Sequence, residues 1–236
     1  MAGRLAKVRR RIALACARAG RAPGEVTLVG IAKGQPLERV VEALTLGLDD
    51  LGESYAQELV RRREELHRLA AAPPAALDLA ALRWHFVGHL QRNKVKLVVP
   101  GCVLIHSLDS LRLLQVLGRQ VREAGVTQHV LLEVGTGEAT KTGVQPDEVR
   151  SLARAVFAEE GLLLDGLMGM APFDSAPEEA RQTFAGLRRL RDALQQELGV
   201  ALPHLSMGMS GDLEQAVEEG ATLVRVGEAL FGPRAR

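Results

Sequence analysis

The sequence contains few aromatic residues, only two cysteines and almost no net charge. Phenylalanine, tryptophan and tyrosine together make up 3% of its 236 residues, and the formal charge is +1. A nearly neutral chain has no overall field to attract nucleic acid or an anionic membrane surface, so we expect neither as a partner. Cys16 and Cys102 lack the spacing of a metal site or a redox pair, which predicts two buried free thiols rather than a disulfide.

Long hydrophobic runs are also missing. No segment reaches the roughly 20 apolar residues that cross a membrane, and the amino terminus lacks the continuous apolar stretch of a secretory signal. The first residues are rich in arginine, as in a transit peptide. However, Leu5, Val8, Ile12, Ala15 and Cys16 follow helical spacing, which predicts a folded helix near residues 3–20. We therefore expect a cytoplasmic protein.

A regular alternation of strand-like and helical segments is the main feature that the chain does contain. Eight apolar, strand-like runs are separated by stretches of helical periodicity, which is the pattern of repeated βα units on a parallel sheet. Eight strands predict a (β/α)8 TIM barrel, and 236 residues suit one such domain, here residues 1–236. The predicted strands are 27–32, 50–53, 84–87, 103–106, 129–134, 163–169, 203–207 and 222–226.

Residues that favour helix starts, Pro36, Ser110, Pro146 and Pro177, lie near the beginnings of several predicted helices. The predicted helices are 37–46, 55–69, 91–98, 110–124, 147–158, 177–197 and 211–219. Too few residues follow the last strand for a full helix, so we expect the first helix to pack in its place. An open, doubly wound sheet is the alternative fold, but it favours fewer strands and a glycine-rich first turn.

Lys33 closes the first strand-like run and is followed by the turn residues Gly34, Gln35 and Pro36. In an α/β barrel the active site lies at the carboxyl ends of the strands, which is where this lysine is placed. Apolar surroundings remove solvation from a charged amine and favour the neutral nucleophile that condenses with an aldehyde. The alternative is a solvated lysine that merely caps the strand.

Two loops near the end of the chain have the features of a phosphate site. Residues 206–212, after the seventh strand, offer small residues, two serine hydroxyls and the start of a helix with free N–H groups. After the eighth strand, Gly227 allows close backbone approach to an oxyanion, and Arg225 adds a positive charge. Alternatively, the serines cap the next helix and Gly227 makes a turn. Together with Lys33, the two loops favour a phosphorylated aldehyde as ligand.

A set of short motifs occurs in order between about residues 26 and 232. Its members are Lys33, Gly52-Glu53-Ser54-Tyr55-Ala56-Gln57-Glu58, Trp84-His85-Phe86-Val87-Gly88-His89-Leu90-Gln91 with Asn93-Lys94, Ile105-His106-Ser107, Lys141-Thr142-Gly143 and Ser206-Met207-Gly208-Met209-Ser210. This set resembles the pyridoxal phosphate homeostasis protein family, which is related to the barrel domain of alanine racemase.

The resemblance implies pyridoxal 5′-phosphate (PLP) held as a Schiff base on Lys33, with Arg225 near the pyridine nitrogen. The phosphate ligands that it implies are Ser206, Ser210 and the amides of Gly227 and Glu228. A cation at the ring nitrogen disfavours protonation there and weakens the ring as an electron sink. The family is accordingly described as binding PLP and supplying it to apo-enzymes, without established catalytic turnover, and we expect a monomer.

Two other functions remain open at this point. A PLP-dependent amino-acid racemase or lyase would use the same cofactor and the same lysine. In alanine racemase the second acid–base group is a tyrosine from a further domain, and we expect no such domain here because one barrel accounts for residues 1–236. The third possibility is a sugar-phosphate enzyme in which Lys33 acts as an aldolase-type amine without a cofactor.

The chain departs from the family pattern at three positions. Gln35 replaces a second lysine that the family often has, and Ser54 replaces an asparagine. Glu228 replaces a hydroxyl residue, and since a carboxylate would repel a phosphate, we expect only its N–H to face the ligand. Tyr55, the one tyrosine, is expected to pack near the cofactor or to start a helix.

Several polar residues have less specific interpretations. His85 and His89 are four residues apart, as metal ligands on a helix would be, but the segment is a predicted strand, so no metal site is expected. His85 and His106 are expected to lie inside the barrel or to line the pocket. The run 61–65 is predicted to be a solvated helix face with local ion pairs. Lys141 is expected either at the site mouth or in solvent.

Overall fold

The computed structural model describes residues 1–72, 77–135 and 143–233. Its strands form a closed parallel barrel, in which β8 pairs with β1 to close the sheet. The strands are β1 (Thr27–Ile31), β2 (Asp50–Glu53), β3 (Arg83–Phe86), β4 (Leu104–Leu108), β5 (Gln128–Glu133), β6 (Leu162–Met168), β7 (His204–Ser206) and β8 (Leu223–Val226). The predicted (β/α)8 barrel is confirmed.

Helices cover the outside of the barrel with their apolar faces turned inward. They are α1 (Ala2–Arg18), α2 (Leu37–Thr45), α3 (Ala56–Ala71), α4 (Val95–Val98), α5 (Leu111–Ala124), α6 (Val149–Phe157), α7 (Pro177–Leu198), α8 (Leu213–Glu218) and α9 (Glu228–Phe231). In α5, for example, Ser110 caps the first turn and Gly125 ends the helix in the left-handed conformation. Within the described ranges, no helix has the length and apolar character needed to span a bilayer.

The first helix packs beside the short helices at the end of the chain. α1 contacts α8 and α9, and its apolar stripe, which includes Val8 and Ile12, is buried against them and the barrel. α1 therefore lies beside α9, which spans four residues. Cys16 is buried in α1 and Cys102 is half-buried, and both are free thiols.

The interior of the barrel contains an apolar layer followed by a polar one. Val29, Leu104, Leu131, Met168 and Leu223 form a separate apolar cluster within the barrel. Because side chains alternate along a strand, the inward positions two residues beyond Leu104, Leu131 and Leu223 carry polar groups. These are His106, Glu133 and Arg225, all buried. The polar layer therefore lies nearer the carboxyl ends of the strands, where barrel sites form.

Candidate functional site

Lys33 lies in the turn directly after β1, at the carboxyl-terminal end of the barrel. Its side chain is half-buried, and its Nζ lies 4.7 Å from the centroid of the Tyr55 ring. Such a distance allows a cation–π contact while the amine is charged. Tyr55 directly precedes α3, so the loop after β2 places an aromatic ring against the candidate nucleophile.

Arg62 of α3 binds the backbone of the Lys33 turn. Its guanidinium donates hydrogen bonds to the carbonyl oxygens of Ala32 (3.2 Å) and Gln35 (3.0 Å), which flank the turn. It also donates to Glu53 Oε1 at the end of β2 (3.0 Å). Both members of this ion pair are buried, and burial raises the pKa of Glu53, although Arg62 opposes that shift. The pair fixes the turn relative to two strands.

This arrangement corrects one prediction from the sequence. Arg61 pairs with Glu58 and Glu65 at the surface, as expected of a solvated helix face. Arg62, however, is buried, because successive residues of a helix point about 100° apart and this one faces the barrel. The signal that could have indicated a buried arginine is Glu53, an acid at the end of a buried strand. A buried carboxylate requires a positively charged partner.

Gln35 also anchors the turn, and does so toward the end of the chain. It is buried, and its Nε2 donates to the carbonyl oxygen of Gly232 (3.2 Å). Arg39 donates to the carbonyl oxygen of Phe231 (2.9 Å) in the same segment. The position that carries a second lysine in many family members therefore contains an amide that joins α2 to the segment after α9.

The two expected phosphate loops meet each other at the carboxyl-terminal end. The Ser210 hydroxyl accepts a hydrogen bond from the Ala229 N–H (3.3 Å). Gly208 has a φ of +90°, and its carbonyl oxygen accepts from the Arg225 N–H (2.9 Å). Arg11 of α1 donates to the Ser210 carbonyl oxygen (3.0 Å), so the first helix also supports this loop.

Gly227 and Glu228 present backbone donors beside Ser210. Within the described residues, neither N–H donates a hydrogen bond to the protein. Gly227 has an ordinary φ of −104°, and a Cβ added to it would meet its nearest neighbour, Ile31, at a normal contact distance of 3.6 Å. Protein packing therefore does not require glycine here. The Glu228 side chain is exposed, as expected.

Ser206 is placed differently from the prediction. Its hydroxyl is fully buried and bonds to His106 Nδ1 (2.8 Å) and Arg225 Nη1 (2.7 Å). As the last residue of β7 it points into the barrel, since alternate residues of a strand face the interior. The geometry therefore joins Ser206 to Arg225 rather than to the donors at Ser210, and a direct phosphate contact from Ser206 is not supported.

Arg225 provides a buried positive charge at the site. Its Nη2 donates to the Gly169 carbonyl oxygen (3.2 Å), directly after β6. Burial lowers the pKa of Arg225 to about 10, while Asp212 and Glu133 oppose the shift. The guanidinium therefore remains charged at neutral pH, and its hydrogen bonds fix its position.

The two expected interior histidines lie side by side. His85 Nδ1 and His106 Nε2 are 2.9 Å apart, and His85 Nε2 is 3.0 Å from Asp50 Oδ1.

His89 does not join this pair, because its side chain is exposed beside Asp109. Outside the undescribed gaps, no cluster of three or more potential metal ligands occurs. The sequence reasoning missed Asp50, whose signal is a carboxylate at the start of a buried strand. Lys141 lies outside the described residues.

The fold and these loops define a barrel of the alanine racemase type, and comparison with known proteins agrees. The family model for the N-terminal domain of alanine racemase matches residues 4–235. The chain belongs to the pyridoxal phosphate homeostasis protein family. A member from Aquifex aeolicus is 43% identical over 232 residues, covering 98% of this chain and 97% of that protein.

Two further relatives extend this comparison. The pyridoxal phosphate homeostasis protein of Pseudomonas aeruginosa is 41% identical over 236 residues, covering 99% of this chain and 96% of its own. The solved structure of PipY from Synechococcus elongatus, with PLP bound, has a TM-score of 0.80 and 33% identity. That alignment covers 94% of this chain and all of PipY.

Proposed function

We propose that this protein binds PLP reversibly through Lys33 and contributes to intracellular PLP homeostasis by holding the cofactor and supplying it to apo-enzymes. The observation that carries this proposal is a set of three elements at one end of the barrel. These are a strand-end lysine, a group of backbone donors beside Ser210, and a fixed arginine. The PLP-bound PipY relative supports the choice of cofactor.

The Lys33 amine provides the covalent attachment. It condenses with the aldehyde of PLP to form a Schiff base and one water molecule, and hydrolysis reverses the reaction. Bound PLP contributes that aldehyde and an aromatic ring that can accept electrons. Because Arg62 and Gln35 hold the turn from two sides, the amine stays at a constant place while the bond forms and breaks.

The phosphate is assigned to Ser210 and to the N–H groups of Gly227 and Glu228. Two free backbone N–H groups and a hydroxyl suit a phosphate dianion, because each can donate a hydrogen bond to a phosphate oxygen. The Glu228 carboxylate is exposed, so solvent and salt screen its repulsion of the phosphate. Ser206, which the sequence assigned to the phosphate, is instead assigned to Arg225.

Arg225 is assigned to the pyridine nitrogen. A guanidinium that stays charged at neutral pH disfavours a proton on that nitrogen, and an unprotonated ring stabilises a carbanion poorly. The site therefore retains PLP and activates it weakly, which favours a carrier over an enzyme. A monomer located in the cytoplasm, with transient contact to recipient apo-enzymes, completes the proposal.

The test is uptake of PLP by the purified protein. We expect a visible absorption band after PLP is added, and borohydride should fix the cofactor onto Lys33, as read by peptide mass spectrometry. Lys33→Ala should abolish both signals, whereas Lys96→Ala, at an exposed lysine of α4, should retain them. A protein that stays colourless with PLP would refute the proposal and favour the cofactor-free sugar-phosphate enzyme.

A further inference from the structure

A continuous chain of buried polar groups crosses the barrel interior. It begins at the amino-terminal end, where half-exposed Arg83 donates to both carboxylate oxygens of Asp50. From Asp50 it continues through His85, His106 and Ser206 to Arg225. The four links of this second part measure 3.0, 2.9, 2.8 and 2.7 Å between heavy atoms. We refer to Asp50, His85, His106 and Ser206 as the relay.

The direction of the hydrogen bonds follows from the Asp50 end. An ionised carboxylate only accepts, so His85 must donate through its Nε2–H. The pKa of Asp50 is lowered: burial acts to raise it, but hydrogen bonds from His85 and Arg83 outweigh that effect. A neutral His85 then has a bare Nδ1, which accepts from the Nε2–H of His106.

The direction also follows independently from the Arg225 end. A guanidinium only donates, so the Ser206 oxygen accepts from Arg225 and its single proton is free to go to His106 Nδ1. His106 is neutral, because burial keeps its pKa well below the usual value and the nearby positive charge of Arg225 acts in the same direction. Both ends therefore require His106 to carry its proton on Nε2. Every bond points the same way, from Arg225 to Asp50.

We propose that the relay is a positioning device, in which the carboxylate of Asp50 fixes the tautomers of His85 and His106 and thereby keeps the Ser206 oxygen available as the acceptor for Arg225. This inference rests on the proposed function insofar as Arg225 faces the cofactor. Hydrogen bonds that point in one direction along a chain polarise one another, so the charge on Asp50 affects the bond between Ser206 and Arg225. The charge and orientation of Arg225 thus depend on a residue at the opposite end of the barrel.

The surroundings of the relay contain other charged groups that the proposal must include. His204 of β7 faces His106, and Glu133 of β5 and Asp212 face Arg225. His204 bonds to Thr222 Oγ1 (3.3 Å), not to a relay residue. Burial lowers the pKa of His204, against the effect of Asp165, so it contributes no competing acid at neutral pH.

The first test reads the tautomers directly and needs no cofactor. Long-range nitrogen-15 NMR of the wild-type protein at pH 7.5 distinguishes a protonated Nε2 from a protonated Nδ1. We expect both relay histidines as neutral Nε2–H tautomers. A protonated Nδ1 on either histidine would reverse the bond order and overturn the proposal, whether or not PLP binds.

The second test changes Asp50, at the end of the relay away from Arg225, and measures the pH response of bound PLP. Asp50→Asn keeps the shape but can donate to His85, so it removes the fixed direction. We expect the pH midpoint of the bound PLP absorption to shift by about half a unit or more. Direct loss of a hydrogen bond to a charged group corresponds to about one to two units, and the change at Asp50 reaches Arg225 only through the relay. Asp192→Asn is the control, since Asp192 pairs with Arg191 of α7 on the outside of the barrel.

The outcomes separate this inference from the proposed function. If wild type binds PLP and Asp50→Asn titrates as wild type does, the relay has no influence on the site and the proposal is wrong. If wild type takes up no PLP, the proposed function fails together with the role of the relay at the cofactor, while the NMR result still decides the hydrogen-bond order. If Asp50→Asn does not fold, Ser206→Ala replaces it, and an unchanged midpoint there would equally overturn the proposal.

Discussion

At the scale of single residues, Arg62 shows how a buried charge can hold a functional turn. Its partner Glu53 is completely buried, and the remaining donors of the guanidinium reach two carbonyl oxygens beside Lys33. A buried ion pair contributes little net stability compared with a well-packed apolar pair, but loss of one partner leaves an uncompensated charge. The pair is therefore better explained by the position of the turn than by stability alone.

We predict that Arg62→Met lowers the free energy of unfolding by about 3–5 kcal/mol, because Glu53 would remain buried without a counter-charge. Arg61→Met is the matched control on the same helix. It removes only surface ion pairs and should cost about 1 kcal/mol or less. Urea denaturation of the three proteins measures both values, and equal losses in the two variants would contradict the structural assignment.

The two serines of the loop after β7 should have separable effects. Ser210→Ala removes a hydroxyl from the proposed phosphate site and should weaken PLP binding about tenfold, as the loss of one hydrogen bond to a charged group would. Ser206→Ala removes the acceptor of Arg225 and should instead change the spectrum of bound PLP and its pH response. Titration of each variant with PLP, followed by absorbance, measures both. A larger loss of affinity for Ser206→Ala would return that serine to the phosphate.

At the scale of elements, the α1 helix does more than fill space. Arg11 binds both oxygens of Glu214 in α8 at 2.6 Å each and also holds the Ser210 carbonyl oxygen. The bidentate pair fixes the start of α8 relative to α1. An element far from Ser210 in sequence therefore supports the loop that is proposed to bind the phosphate.

We predict that Arg11→Gln weakens PLP binding several-fold while the fold is kept, because the loop at Ser210 loses its support. Arg18→Gln is the control, since Arg18 also joins α1 to α8, but through Glu218 rather than through the Ser210 loop. Fluorescence titration with PLP measures both affinities. If the two variants bind PLP equally well, α1 does not position the phosphate loop.

The strands and helices were predictable because each depends on residues close together in sequence. Apolar β-branched runs and helical spacing repeat along the chain, and the spacing of Leu5, Val8 and Ile12 predicted the buried stripe of α1. The relay was not predictable, because Asp50, His106 and Ser206 meet only when the barrel closes. The buried side of α3 was missed for the same reason: Arg62 finds Glu53 in another element. The place of Lys33 at a strand end was predictable in the same way, whereas the partners of Ser206 required the structure.

At the scale of the whole molecule, the buried polar groups predict how stability depends on pH. Burial lowers the pKa of His106 and of His204, so the folded protein keeps both neutral. Below about pH 6.5 the unfolded chain takes up protons that the folded protein does not, so the stability present above that pH is lost on acidification. Asp50, whose pKa is also lowered, extends the loss below about pH 4.

We therefore expect the melting temperature to be constant near pH 7–8 and to fall between about pH 6.5 and 5. Each histidine that is kept neutral contributes a slope of up to about 1.4 kcal/mol per pH unit. His204→Asn should make this decline shallower, since it removes one of the two groups. Calorimetry at several pH values tests the prediction, and a melting temperature independent of pH from 8 to 5 would contradict it.

The last prediction concerns catalysis by the whole molecule. Racemisation by two bases needs an acid–base group on each face of the substrate α-carbon, and each such group typically contributes about 10²–10⁴ in rate. Tyr55 is the one tyrosine of the sequence, and its ring contacts the Lys33 amine. With Arg225 weakening the electron sink, we expect at most trace α-proton exchange of L-alanine in D2O, without useful inversion, as followed by proton NMR and chiral chromatography. Robust turnover that Lys33→Ala abolishes would replace the carrier with a PLP-dependent racemase or lyase.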